Sequence, residues 1–433
     1  MPHVRMYRRD VDQGSTAAPQ RSALLRAPAE PEPGLAIAFV LALGRALHRY
    51  GTPAYRLEEG LRRVCDRLDI EAEVFTTPTA IIMSFGPATD LRTRMMRVDG
   101  GELDMGKLAQ LDALADDVVA HRMSAADGVK RVDAIVAAPP RFGRALSTAA
   151  AALTAASIAV FFGGSLADVA VAGGIGLLLG MLAQFVSRST EQARVLELVS
   201  AAFAALAASL AAAVWPGITP SLVTVCALVI LLPGLSLTVA IAELATRNLI
   251  AGTARLMQAV IVLLELVVGV ALGEKLASVL VTVPHVTPVA LPEWARWVAL
   301  AVASTSLAIV VQAGVRQLGW IVAACAVGYV GSRTGAAWLG GPLGMTGVLV
   351  GALGLGVMSN IYARWLDRPA QVVQVPAVLL LVPGSMGFRG MASLLDKDTL
   401  SGVETLFAMF VVALAIVAGL LVSSAIVSPR RSL

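Results

Sequence analysis

The sequence predicts a mainly α-helical membrane protein: ten transmembrane helices in two five-helix inverted repeats, preceded by a small soluble α/β domain. Three observations carry that expectation. The 433 residues are 57% hydrophobic and only 15% charged, too apolar for a soluble chain of this length. Charge is concentrated before residue 140, and beyond residue 147 come apolar blocks of about 17–22 residues, near the length a spanning helix needs. Two Pro-Gly pairs, Pro233-Gly234 and Pro383-Gly384, interrupt apolar runs 150 positions apart.

Residues 1–33 begin MPHVRMYRRD and continue rich in Pro, Ala and Glu. No apolar core follows the charges, so a disordered tail is expected rather than a cleavable signal. Residues 34–140 read as the soluble α/β domain. GLAIAFVLALGRALHRYG has helical period but an apolar run too short to span a bilayer. Gly51 and Pro53 punctuate the chain before the amphipathic stretch AYRLEEGLRRVCDRLDI. The β-rich runs EAEVFTT and TAIIMSFG follow, separated at Pro78, with a third at RTRMMRV. Two further helical stretches, MGKLAQLDALADDVVAH and SAADGVKRVDAIVAA, lead to Pro139-Pro140, which closes the domain.

Spanning helices are expected near 145–162, 169–187, 197–214, 220–244 and 253–273, which make the first repeat (145–273). Those near 294–314, 316–331, 341–359, 371–395 and 403–427 make the second (294–427). With the N-terminus inside, the inner loops and tail hold nine Lys and Arg against five outside, which places both termini in the cytoplasm. Basic loops on one membrane face also account for the net charge of +4, and no nucleic-acid module is visible. The three cysteines, Cys65, Cys226 and Cys325, are too widely spaced for a disulfide framework or a metal cage, and no cofactor is expected.

The spacing of 150 recurs beyond the Pro-Gly pairs. Gly252 falls on Gly402 and Gly269 on Gly419, and IVLLELVVGV (261–270) matches VVALAIVAGL (411–420) in apolar character. An odd number of helices per copy turns the two copies opposite ways across the bilayer, and paired Gly/Pro interruptions in such repeats point to a substrate site. The plainer reading is a kink in each of two membrane helices; two breaks in register, flanked by matching glycines, favour function. The candidate substrate residues are Pro233, Gly234, Ser236 and Thr238 with Pro383, Gly384 and Ser385. Each proline frees a carbonyl, near Val229 and Leu379, that can accept from an ammonium group. The amides after a break favour a carboxylate, so a zwitterionic amino acid suits both ends.

Glu265, in the middle of the fifth helix, is a candidate for proton coupling, with a packing carboxyl as the alternative. Glu243 and Arg389 lie just past their breaks and read as gate residues or, the favoured reading, headgroup anchors, with Glu243 a further candidate for proton coupling. Met386 and Phe388 read as packing residues rather than ligand contacts, and Asn360 either lines the path or, the favoured reading, caps the eighth helix.

The run HRYGTPAYRLEEGLRRVCDRLDIEAEVFTTPTAIIMSF, with Gly51, Pro53-Ala54, Glu58 and Thr77-Pro78-Thr79, resembles the threonine/serine exporter family. So do RVDGGELDMGKLAQLDALADDVVAHRMSAADGVKRVDAIV, LLPGLSLTVAIAEL and LLVPGSMGFRGMASLL, and the resemblance extends from about residue 35 to 425. It implies a cytoplasmic-membrane exporter of threonine and serine, driven by the proton motive force, with a cytoplasmic domain ahead of ten helices. Its partners would be the amino acid, protons and lipid. The family's soluble domain has been likened to hydrolases, which leaves an alternative: a membrane-anchored hydrolase-like enzyme using His48, Glu58, Thr77, Thr79 or Ser84. Against it, there is no G-x-S-x-G, H-E-x-x-H or phosphate-binding glycine loop. His48 ends a helix, where histidine commonly meets the last carbonyls, and Glu58 stands where a carboxylate stabilises first-turn amides.

Overall fold

The computed structural model describes residues 33–98, 103–186, 195–215, 217–282, 289–340, 344–381, 383–395 and 397–428. The expected disordered tail falls outside them, apart from Pro33, which opens the first helix.

In the N-terminal domain, α1 (Pro33–Arg49) and α2 (Ala54–Arg67) are joined at Gly51, whose φ of 89° is a left-handed conformation that side chains resist. β1 (Ala72–Thr77), β2 (Ala80–Phe85) and β3 (Arg92–Arg97) form an antiparallel meander, closed at its first turn by the pair Thr77 and Ala80. Alternation sends Ile81, Met83 and Phe85 inward, where they pack with Phe39, Leu43, Leu57 and Leu61 of the two helices. α3 (Met105–Val119) and α4 (Ala125–Ala137) complete this core, N-capped by the side chains of Asp104 and Ser124.

The rest of the described chain is helical: α5 (Arg144–Phe161), α6 (Leu166–Val186), α7 (Leu196–Val214), α8 (Pro220–Ala227), α9 (Gly234–Ala245), α10 (Leu249–Leu280), α11 (Glu293–Val310), α12 (Leu318–Leu339), α13 (Met345–Leu366), α14 (Gln371–Leu381), α15 (Gly384–Leu395) and α16 (Thr399–Ile426). Among the described residues, eight segments are long and apolar enough to cross a membrane: α5, α6, α7, α10, α11, α13, α14 with α15, and α16. That is two fewer than the sequence suggested. α12 has the length but carries Arg333 among Ser332 and Thr334. Residues 220–245 are divided by the Pro-Gly break into an 8-residue and a 12-residue helix. α10 and α16 run to 32 and 28 residues, α10 longer than expected at both ends and α16 at its start, because no proline interrupts either one.

Contacts recur at the spacing seen in the sequence. α7 packs on α10 as α13 packs on α16, and α9 on α10 as α15 on α16. A Cβ on Gly252 would meet the Leu244 side chain and the Ala240 carbonyl; one on Gly402 would meet Leu394 and the Gly390 carbonyl. Arg247 and Lys397 both hold positive φ, 68° and 64°, in the turn before the last helix of each set. The two first helices, α5 and α11, lie antiparallel. The Ser147 hydroxyl, near the start of α5, accepts from Gln312, just past the end of α11, at 3.2 Å, and midway the Thr154 hydroxyl donates to Ser306 at 2.8 Å. Gln312 also accepts from the Phe142 amide at 2.8 Å, so the end of α11 lies beside the segment leaving the N-terminal domain.

Candidate functional site

A proline inside a helix removes one backbone hydrogen bond and costs about 3 kcal/mol or more, and the chain responds by unwinding. Between α8 and α9 the stretch 228–233 forms turns, with the Leu228 carbonyl accepting from the Leu231 and Leu232 amides at 2.8 and 3.1 Å. The helix restarts at Gly234, and the Pro233 carbonyl takes the Leu237 amide at 2.9 Å. The second break is tighter: α14 runs to Leu381 and α15 starts at Gly384, with the Pro383 carbonyl accepting from Met386 and Gly387 at 3.0 and 3.1 Å.

The two breaks touch. A Cβ on Gly384 would stand 3.2 Å from both the Cα and the amide nitrogen of Gly234, so the close crossing of the two chains relies on Gly384 having no side chain. On either side of this crossing lies a cavity. The domain-side cavity, about 450 Å³, lies between α2, α9, α14 and α16 and is lined by Arg56, Thr238, Gln371 and Gln374 among others. The distal cavity, about 490 Å³, lies between α8, α10 and α15, with Phe162 at its edge and no residue of the N-terminal domain. Their linings correspond at 150 positions: Gln371 with Ser221, Gln374 with Thr224, Thr238 with Phe388, Val239 with Arg389, Leu420 with Val270 and Ser424 with Glu274. Both volumes fall within the range, roughly 300–1,000 Å³, of sites for small molecules.

Charged contacts dock the N-terminal domain beside the domain-side cavity. Glu243, fully buried near the end of α9, accepts from the Ala54 amide at the start of α2 at 3.0 Å. Arg255 of α10 grips the same carboxylate through Nε at 3.0 Å and a terminal nitrogen at 3.2 Å. Glu58 accepts from the Thr76 amide at 2.7 Å and its hydroxyl at 3.0 Å, and its other oxygen takes the Asn248 side-chain amide at 3.2 Å. Arg56 donates to Gln374 of α14 at 3.4 Å. Buried carboxylates that keep such partners are tolerated; an unpaired one is not.

A scan against family models gives two matches that together run through both helical sets: residues 38–277 match the threonine/serine exporter model ThrE, and residues 296–426 match a second one described as threonine/serine exporter, ThrE. The chain belongs to the threonine/serine exporter family. Pheromone-regulated membrane protein 10 of Saccharomyces cerevisiae is 28% identical over 380 residues, covering 85% of this chain and 48% of the yeast protein. Protein C7D4.12c of Schizosaccharomyces pombe is 27% identical over 366 residues, 81% of this chain and 48% of that one. The Candida albicans pheromone-regulated membrane protein 10 is 26% identical over 386 residues, with 33% of its length covered. The exporter-family chain thus spans about half or less of these relatives' length. No solved structure matches. Family and helices together make it a multi-pass membrane protein.

Within this exporter-family fold, Pro233, Gly234, Pro383 and Gly384 meet at the crossing. Thr238 lines the domain-side cavity and donates back to the Gly234 carbonyl at 3.1 Å. Ser236 and Ser385 are half-buried, and the Ser385 carbonyl accepts from Arg389 at 3.4 Å. Glu265 is half-buried on α10, outside both linings. Phe388 is buried and lines the distal cavity. Asn360 does not cap α13; it donates to the Val427 carbonyl at 2.9 Å and ties α13 to the end of α16.

Of the domain's candidates, the His48 ring donates from Nε2 to the Thr77 carbonyl at 3.0 Å. Burial, reinforced by nearby Arg255, holds its pKa below the ordinary histidine value against the opposing pull of the Thr77 carbonyl and Glu243. The Thr77 hydroxyl accepts from the Ala80 amide at 3.0 Å and shapes the hairpin turn, where Thr79 is exposed. The Ser84 hydroxyl pairs with Thr93 at 2.9 Å on the open face of the sheet. Sequence reasoning missed Arg56, Gln374, Arg255 and Asn248. Arg56 reads as one more polar residue on an amphipathic helix, and its partner is 318 positions away.

Proposed function

We propose that the chain is a secondary transporter that exports small hydroxy amino acids, threonine and serine, across the cytoplasmic membrane, with the N-terminal domain and both termini in the cytoplasm. The observation that carries this reading is the contact between Gly234 and Gly384 with a cavity on either side, lined by residues 150 positions apart. The antiparallel α5 and α11 support two inverted five-helix sets, in which α8 with α9 and the polar α12 complete ten spans. In such a plan one bundle rocks against the other and exposes the crossing first to one cavity, then to the other.

Threonine and serine are favoured by the family description. Thr238, Gln371, Gln374 and Thr224 offer hydroxyl and amide partners for a zwitterion and its side-chain hydroxyl. Proton coupling is assigned to Glu265, which is half-buried on α10 and is matched by Ala415 in the second set. Glu243 is assigned to docking instead, because Ala54 and Arg255 occupy both its oxygens.

The test is efflux of labelled threonine and serine from proteoliposomes holding the full chain, with and without an imposed proton gradient. Protein-dependent efflux that rises with the gradient, and loses that rise in E265Q, is the expected result. Efflux indifferent to the gradient removes the coupling, and no efflux of either amino acid removes the exporter.

A further inference from the structure

Resting on the exporter reading, we propose that each cavity is a carboxylate site built round one arginine: Arg389 in the distal cavity and Arg56, lent by the N-terminal domain, in the domain-side cavity. The correspondence between the linings makes the case. Where the distal cavity has Arg389, the domain-side cavity has Val239 on its own helix, so the membrane helices supply no cation at that place. The start of α2 supplies one instead, and Gln374 of α14 holds Arg56 over the opening.

The charge inventory singles out the same two side chains. Arg63, which also lines the domain-side cavity, is paired with Glu59, and Arg255 with Glu243. Arg296 and Arg333 share Glu293. Among the described residues, Arg56 and Arg389 have no ion pair with a carboxylate, and each faces a cavity large enough for a small ligand. Arg389 lies five residues past the crossing, about 7.5 Å along the helix, where a charge is costly unless it faces water or a partner. Its guanidinium is seated 5.2 Å from the Phe162 ring centroid, and among the described residues its hydrogen bond is the one from Nε to the Ser385 carbonyl. The planar fork of terminal nitrogens suits bidentate carboxylate binding. Glu274 and the hydroxyls of Ser221 and Thr224 line the same cavity and suit the ammonium and hydroxyl groups of the ligand.

The N-terminal domain is then part of the transport route. A carboxylate bound at Arg56 enters between domain and helices, passes the crossing, and is received at Arg389.

The experiment uses the full chain in proteoliposomes, with labelled threonine offered from either side. R389Q is expected to raise KM for threonine presented at the distal face about tenfold or more, and R56Q the KM at the domain face, each leaving the opposite KM near wild type. The charge-conserving R389K and R56K recover part of the loss, and threoninamide, which lacks the carboxylate, competes poorly. Unchanged KM values in both glutamine variants, or equal competition by threonine and its amide, overturn the proposal. If the wild-type chain moves no amino acid, the exporter reading fails and the sites are read separately by thermal protection of the purified chain. Protection by propionate but not propionamide, lost in the R56Q/R389Q double variant, upholds them; no protection by propionate overturns them.

Discussion

Gly234 and Gly384 touch backbone to backbone, with 3.2 Å between the Gly234 Cα and the place a Gly384 Cβ would occupy. The atoms in the way are main chain and cannot swing aside. Gly384→Ala is expected to cost about 1–3 kcal/mol by overpacking, and Gly384→Val to separate the two breaks and abolish transport while the domain stays folded. Thermal unfolding and flux in proteoliposomes check this; wild-type flux in the valine variant would mean the contact is incidental.

The paired glycines of the long helices carry a second prediction. A Cβ on Gly269 would overlap the Leu198 carbonyl, and one on Gly419 would stand 2.7 Å from the Leu349 carbonyl. G269A and G419A should therefore destabilise the chain to similar extents, about 1–3 kcal/mol each. Strongly unequal losses in denaturant melts would argue against equivalent packing of α10 and α16.

Glu243 fastens the domain to the helices. In E243Q, Arg255 loses the partner for its charge, and the Ala54 amide keeps only a neutral acceptor. Breaking a buried pair costs about 3–5 kcal/mol, and less here because Arg255 is 24% exposed. Faster amide exchange at residues 54–67 and at Thr76, with the domain's own core still protected, is the expected signature. Unchanged exchange there would remove Glu243 from the docking contact.

His48 makes the docked domain sensitive to acid. Because its folded pKa is lowered, chiefly by burial, the unfolded chain binds more protons between that value and the ordinary histidine pKa of about 6.5. Stability from this group is therefore complete above about pH 6.5 and is lost as pH falls through the lowered folded value. Melting temperatures measured from pH 7.5 to 5 should fall more steeply in wild type than in H48Q, whose amide can still reach the Thr77 carbonyl. Identical slopes would contradict the assignment.

How far the sequence carries depends on how local each signal is. The three strands were legible because alternation and Pro78 are contained in a few residues, and the breaks because proline and glycine act on their own backbone. The spacing of 150 was legible because it is a property of the string. Glu243 was read as coupling or anchor: its acidity is local, but Ala54 lies 189 positions away. Asn360 was read as a cap because the Val427 carbonyl beside it is 67 positions on. The cavities were invisible for the same reason, since each is assembled from three or four separated helices. Two expected spans are not among the eight because one is divided into two short helices and the other carries an arginine.

The central claim is that the cavities are the two ends of one route. Its most direct test is sided labelling of single cysteines at equivalent lining positions, Ser221→Cys and Gln371→Cys, with the buried Cys65, Cys226 and Cys325 replaced. A membrane-impermeant thiol reagent should reach Ser221→Cys from the face opposite the domain alone and Gln371→Cys from the domain face alone, with added threonine protecting both. Labelling of the two positions from the same face would contradict the account.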